Sequence, residues 1–278
     1  MLRLLNIELQ KIRYNKAAKA ITIVYFVLIT FIALIASIEF DFGSVNFRVA
    51  DQGIFNFPFI WHFNSFMGAT LKIFLAIVIV SMMANEYSYR TLKQNLIDGL
   101  SKKEFIISKF LTVVLFAVIS TVFLFVVSMI LGLSFSDYTE IGIIFSNLEY
   151  ILAYFIKLVA FFSFCLFLGI LVKRSAFALG FLIIWQIVEK IIYSLLKWEF
   201  FKGTDVAENV AMFFPLEAMA NLIKEPFTRL GAVQSAANQL GESFTKTYDV
   251  EWHTVLITLV WTALFIYWSY VILKRRDL

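Results

Sequence analysis

From Phe110 to Ser136 the chain runs for 27 residues without one charged side chain. A stretch of roughly 20 apolar residues, rising 1.5 Å each, already crosses the hydrocarbon core of a bilayer. Lipid offers the backbone no hydrogen bonds, so the segment must be a helix; a barrel strand would instead alternate apolar and polar residues. The rest of the chain agrees. It is 61% hydrophobic, 16% charged and carries 32 Phe in 278 residues, with a mean hydropathy of +0.83. A water-soluble fold of this size would leave too much apolar surface exposed. The reading is an all-α polytopic membrane protein. Its net charge of +4 reflects loop bias rather than a nucleic-acid surface.

Six spans are expected: Ala20–Ile38, Phe63–Ala84, Phe110–Leu133, Tyr150–Val172, Ala176–Leu196 and Thr254–Leu273. Pro58, Pro215 and Pro226 fall outside them, so no span should be kinked by proline. With both termini cytoplasmic, fifteen of the 24 Lys and Arg lie in cytoplasmic segments, six in external ones and three within spans. The short loops set that orientation. Residues 1–19 carry five basic side chains, with Leu2, Leu5, Leu9 and Ile12 at helical spacing. They read as an amphipathic helix on the inner leaflet rather than a cleavable signal peptide. The longest stretch outside the spans, 197–253, is external. In it Phe213, Leu216, Met219, Ala220 and Ile223 recur at spacings of three and four, which predicts a short helix against the outer leaflet. Small polar residues over Leu230–Phe244 predict a further helical piece.

Between the second and third spans lies a polar break, 85–109, reading NEYSYRTLKQNLIDGLSKKEFIISK. It is too long for a tight turn and too short for a domain. Leu92, Leu96, Leu100 and Phe105 can form an apolar face, and Arg90, Lys93, Lys102 and Glu104 supply charge; such a helix suits docking in a partner's groove. The bland alternative is a re-entry loop whose cations only set topology.

These residues carry a family likeness. Glu86, the step Tyr89-Arg90-Thr91-Leu92, then Leu96, Gly99-Leu100-Ser101-Lys102, Phe105 and Ser108-Lys109 resemble the first cytoplasmic loop of type-2 ABC exporter membrane subunits. The N-terminal helix, the extended outer segment before the last span and the basic end Lys274-Arg275-Arg276 are also similar; Lys102-Lys103 stand where that family more often has an Arg. The likeness implies that 1–278 is one transmembrane permease domain of a bacterial inner (cytoplasmic) membrane. It implies a coupling helix docking on a separate P-loop ATPase through Glu86, Arg90, Thr91, Leu92, Leu96, Gly99, Ser101, Lys102 and Phe105. A second permease copy or homologue would complete the transporter. None of the eleven Gly is followed by Lys, so the chain has no P-loop of its own. ATP would be bound by the partner, and no enzymatic activity or cofactor is assigned to this chain.

Charges inside spans are candidates for a transport path, because each costs roughly 3 kcal/mol or more at mid-bilayer. Lys72, Lys157, Glu189 and Lys190 lie there. Glu189 is expected to pair with Lys72 or Lys157; the alternative is lysines reaching for the surface along their stems. His62 and His253 sit in the pairs Trp61-His62 and Trp252-His253, which read as interfacial aromatic anchors. Two histidines and the lone Cys165 provide neither a metal site nor a disulfide. Two further functions stay open beside the exporter. One is a membrane scaffold passing force from an ATPase to envelope machinery; the other is a membrane-embedded lipid-processing enzyme, for which the loops show no paired carboxylates.

Overall fold

The computed structural model describes residues 2–35, 39–41, 46–48, 53–202, 204–231, 233–235 and 247–276. The end of the first expected span, through Ile38, and most of Leu230–Phe244 lie outside these residues. Twelve helices of the description are α1 (Leu2–Tyr14), α2 (Lys16–Ile35), α3 (Phe59–Thr70), α4 (Lys72–Ser88), α5 (Thr91–Ile97), α6 (Lys102–Phe135), α7 (Ile141–Ile144), α8 (Glu149–Val172), α9 (Ser175–Leu195), α10 (Val206–Ala211), α11 (Pro215–Asn221) and α12 (Trp252–Arg275). The hydropathy pattern did not foretell a two-stranded hairpin, in which β1 (Glu39–Asp41) pairs antiparallel with β2 (Asn46–Arg48), Phe40 opposite Phe47.

Four helical stretches among the described residues are long and apolar enough to cross a membrane: 102–135, 141–172, 175–200 and 252–275. A fifth is a broken span, α3 and α4 meeting at 43°. The protein is therefore membrane-embedded and overwhelmingly helical. The 20-residue α2 occupies the position of the first expected span.

No proline makes the α3–α4 break. Leu71 and Phe74 donate to the carbonyls three residues back, Gly68 and Leu71, at 3.2 and 3.1 Å. Thr70 Oγ1 turns onto the Phe66 carbonyl at 3.1 Å. This tighter local winding, with a hydroxyl competing for a backbone acceptor, is a recognised cause of helix bending. Gly68 sits where the backbone meets Leu124 and Tyr154; a Cβ there would overlap the Leu124 side chain.

Helix α8 is the axis of the bundle. It packs on α12, α4, α6, α9 and α3, and 78% of its most apolar window is buried within the protein. The Tyr25 and Tyr154 hydroxyls meet at 2.7 Å and tie α2 to it. A second, smaller core gathers Ile54, Phe57, Trp61, Leu131, Ile144 and Tyr150 at the other end of α6 and α3.

Two expectations about the segments read as external change here. Trp61 is fully buried rather than an interfacial anchor: it stacks on Phe125 and donates from Nε1 to the Ile144 carbonyl at 2.8 Å. His62 beside it donates from Nε2 to the Lys224 carbonyl at 2.8 Å, accepts at Nδ1 from Arg229 at 3.1 Å and stacks on Tyr150. Trp252, by contrast, is exposed. Part of the apolar stripe expected to face the outer leaflet from α11 turns inward as well. Met219 and, just beyond it, Leu222 and Ile223 are buried, because α11 packs on α12, α8 and α9.

Candidate functional site

The 85–109 segment is built from three local signals. Helix α4 ends at Tyr89, and Arg90 turns the chain with a left-handed φ of 56° before α5. Gly99, at φ 96°, reverses the chain after α5 in a conformation that a Cβ would strain. Ser101 then opens α6 with a complete capping box: its side chain accepts from the Glu104 N–H, and the Glu104 carboxylate accepts from the Ser101 N–H. That pairing satisfies donors left orphaned at a helix start. Helix α6, at 34 residues, extends ~51 Å. It outruns a hydrocarbon core of roughly 30 Å, so its first turns project beyond the charge-free stretch.

There the structure assembles a group that the sequence did not reveal. Lys109 Nζ lies 2.5 Å from both Glu8 and Glu86. Lys11 Nζ reaches the same two carboxylates, at 3.2 Å to Glu8 and 2.8 Å to Glu86. Thr91 Oγ1 donates to the other oxygen of Glu86 at 2.5 Å. Lys109 is 0% exposed, Glu86 2% and Glu8 4%. Two ammonium groups and two carboxylates thus neutralise each other, all but Lys11 out of water, joining α1, the end of α4, the start of α5 and α6. Partial burial pulls the Lys11 ammonium down, but Glu86 and Glu8 outweigh it and its pKa is raised. Beside the network runs a groove of about 460 Å³, lined by Lys11, Asn15, Met82, Asn85, Tyr89 and Thr91 among others.

The expected docking residues divide between inside and outside. Leu92 and Phe105 are buried in the protein's own core, with Leu96 and Leu100 packed against it. The apolar face of the loop therefore points inward, correcting the expectation that these side chains anchor in a partner. Glu86 and Thr91 belong to the network. Arg90, Lys93, Asp98, Gly99, Ser101 and Lys103 remain exposed, together with Tyr89 (75%) and Ile97 (68%). Lys102 turns sideways and donates to the carbonyls of Lys274 and Arg276 at 3.3 and 2.9 Å. Arg276 in turn donates to the carbonyls of Ile170 and Leu171 at 2.6 and 3.0 Å and to the Tyr87 hydroxyl at 3.0 Å. One end of the bundle thus gathers α1, the 85–109 segment, the end of α8 and the end of α12.

The in-span charges do not pair as expected. Glu189 accepts from Trp185 Nε1 at 2.6 Å and from the backbone N–H groups of Leu216 and Glu217, both at 3.1 Å. It caps the start of α11 instead of meeting Lys72 or Lys157. Lys190 pairs with Glu217 at 2.6 Å. Lys157 Nζ donates to the Ala220 carbonyl at 3.2 Å, and Lys72 Nζ lies over the Phe161 ring at 4.8 Å. Among the described residues no group of three His, Cys, Asp or Glu is placed to hold a metal ion.

Sequence reasoning missed Glu8 and the inward role of Lys109. A signal was present for Glu8: it occupies the same helical stripe as Leu5 and Ile12, where an amphipathic surface helix has no use for a charge.

Residues 26–278 match the family described as "Protein of unknown function (DUF2705)", and the chain belongs to that family. No curated protein matches it.

Proposed function

We propose that this protein is the membrane-spanning subunit of an ATP-driven ABC exporter in a bacterial inner membrane, working with a separate P-loop ATPase and a second permease copy or homologue. The chain crosses six times, by α2, the broken pair α3–α4, α6, α8, α9 and α12, with both termini cytoplasmic and α1 at the inner leaflet. The observation that carries the reading is the construction of the 85–109 segment. Its apolar side is fastened inward by Leu92 and Phe105 and its base by the buried Glu8–Lys109–Glu86–Lys11 network. Its outer side offers Arg90, Lys93, Ile97 and Lys103 to a partner. A re-entry loop that only set topology would need cations but no such fastening.

A load applied to α5 passes directly into α4 and α6, through Glu86 near the end of the first and Lys109 near the start of the second, and into α1 through Glu8 and Lys11. ATP drives the cycle by binding one conformation of the assembled transporter better than the other. The test is recovery of an ATPase with the tagged protein from its own detergent-solubilised membrane. A P-loop protein should co-purify, and Arg90→Glu with Lys93→Glu should remove it while the permease itself stays monodisperse. No co-purifying ATPase, or one indifferent to the charge reversal, defeats the proposal.

A further inference from the structure

Between α3, α4, α8, α9 and α11 lies a cavity of about 510 Å³. Most of its lining is apolar, including Phe66, Phe161, Leu182 and Met219, yet Lys72 and Lys157 both open onto it. Lys157 is only 4% exposed, and its ammonium donates to the Ala220 carbonyl. Lys72 has the ring of Phe161 beneath it. Among the described residues neither lysine lies within ion-pair distance of a carboxylate. The two nearby acids are engaged elsewhere, Glu189 by Trp185 and the α11 backbone and Glu217 by Lys190. Two lysines facing one apolar cavity with no carboxylate at ion-pair distance are costly in a membrane protein, and charges retained in such positions mark ligand paths.

The backbone adds to the same sign. The break at Leu71 starts α4 at Lys72, and residues on both sides of it, Ala69, Thr70 and Ile73, line the cavity. A helix start inside a broken span turns the positive end of a 17-residue helix toward whatever lies there. Broken spans meet anionic groups in this manner. The cavity also reaches the outer surface of the bundle, since Ile73 and Ile183 on its lining are exposed, and both belong to helices apolar enough to lie in lipid.

We infer that this cavity binds an anionic amphiphile, its phosphate or carboxylate head between Lys72 and Lys157 and its acyl chain along Ile73, Leu182 and Ile183 toward the bilayer. A soluble anion would satisfy the lysines but leave the apolar wall empty; a zwitterionic lipid would bring its own cation to two others. The inference rests on the membrane placement proposed above and not on the ATPase, so loss of the ATPase in the pull-down would leave it standing.

Native mass spectrometry of the full chain in detergent tests it, with dioleoylphosphatidylglycerol, oleate, dioleoylphosphatidylcholine and inorganic phosphate as probes. Phosphatidylglycerol or oleate should bind at least tenfold more tightly than phosphatidylcholine. Each of Lys72→Met and Lys157→Met should weaken that binding on the order of tenfold, the effect of losing one charge-assisted hydrogen bond. Lys197→Met, which removes a partly exposed lysine outside the cavity whose partner is Glu208, should leave it unchanged. Equal binding of both phospholipids by the unaltered protein overturns the inference without any variant. So does an anionic preference that survives both Lys→Met changes, or displacement of the lipid by millimolar phosphate.

Discussion

Replacing Lys109 by Met is the sharpest test of how the loop is fastened. The change keeps the length and volume of the side chain and deletes its charge at a position with 0% exposure. Two carboxylates, Glu8 and Glu86, then share only Lys11, which sits 3.2 and 2.8 Å away and is partly exposed. Removing one member of a buried ion pair costs ~3–5 kcal/mol, because the remaining charge stays buried without its partner. For a chain of this length each kcal/mol moves the thermal midpoint by ~2–4 °C, so the fall should be on the order of 10 °C. The assay is the loss of the monodisperse peak on heating in detergent, followed by fluorescence-detected size exclusion. Adding Glu8→Gln to Lys109→Met leaves Glu86 with Lys11 and restores neutrality, so the double variant should melt above Lys109→Met alone. That non-additivity separates charge from packing. A midpoint for Lys109→Met within ~2 °C of the unaltered protein would refute the reasoning. Strict additivity of the two changes would equally show that no ionic coupling holds the loop.

The orientation of α5 predicts opposite behaviour for two of its apolar residues. Leu92→Ala, in the core, should cost ~2–5 kcal/mol, seen as a lower midpoint. Ile97→Ala, at the exposed face, should leave the midpoint nearly unchanged and reduce ATPase recovery; the reverse pattern would mean that α5 is turned the other way. The six-crossing arrangement is checked by labelling in a Cys165→Ala background with a membrane-impermeant maleimide. Lys93→Cys should react only in inverted vesicles and Thr204→Cys only in right-side-out ones, and labelling of both from one face would remove that arrangement.

How much of this was legible in the sequence depends on which property each residue advertises. Apolar length announced α6, α8, α9 and α12, because crossing a bilayer is a one-dimensional requirement. Helical spacing also put Leu92 and Leu96 on one face of the loop. Spacing says which residues share a face, however, and not whether that face looks toward the protein or toward a partner; here the core claimed it. Glu189 was read as needing a lysine because only side chains appear in a sequence. Its actual partners, the Leu216 and Glu217 N–H groups, exist only once α11 is folded against α9. The bend at Leu71 escaped for a similar reason: Gly68 and Thr70 are ordinary residues whose effect depends on Leu124, Tyr154 and the Phe66 carbonyl around them.

Helix α4 joins the two sites, and its geometry says how one could act on the other. Glu86 near its end is held in the ionic network, while Lys72 at its start faces the cavity, ~21 Å away along the helix. The 17 residues between the Leu71 break and Tyr89 contain neither Gly nor Pro, so α4 has no internal hinge of the kind that commonly kinks a helix. Its freedom lies at its upper end, where the 43° break uncouples it from α3. A displacement of α5 would therefore swing α4 as a rod about that break. Lys157 stands on α8, the most enclosed helix of the bundle, and would not follow. Lys72 adjoins the pivot, so such a swing would turn its side chain relative to Lys157 rather than carry it away, and the grip on an anionic head would change with that angle. Coupling of this kind needs an element with two arrangements that both sites bias, and α4, hinged at Leu71 and driven at Glu86, is built to be that element.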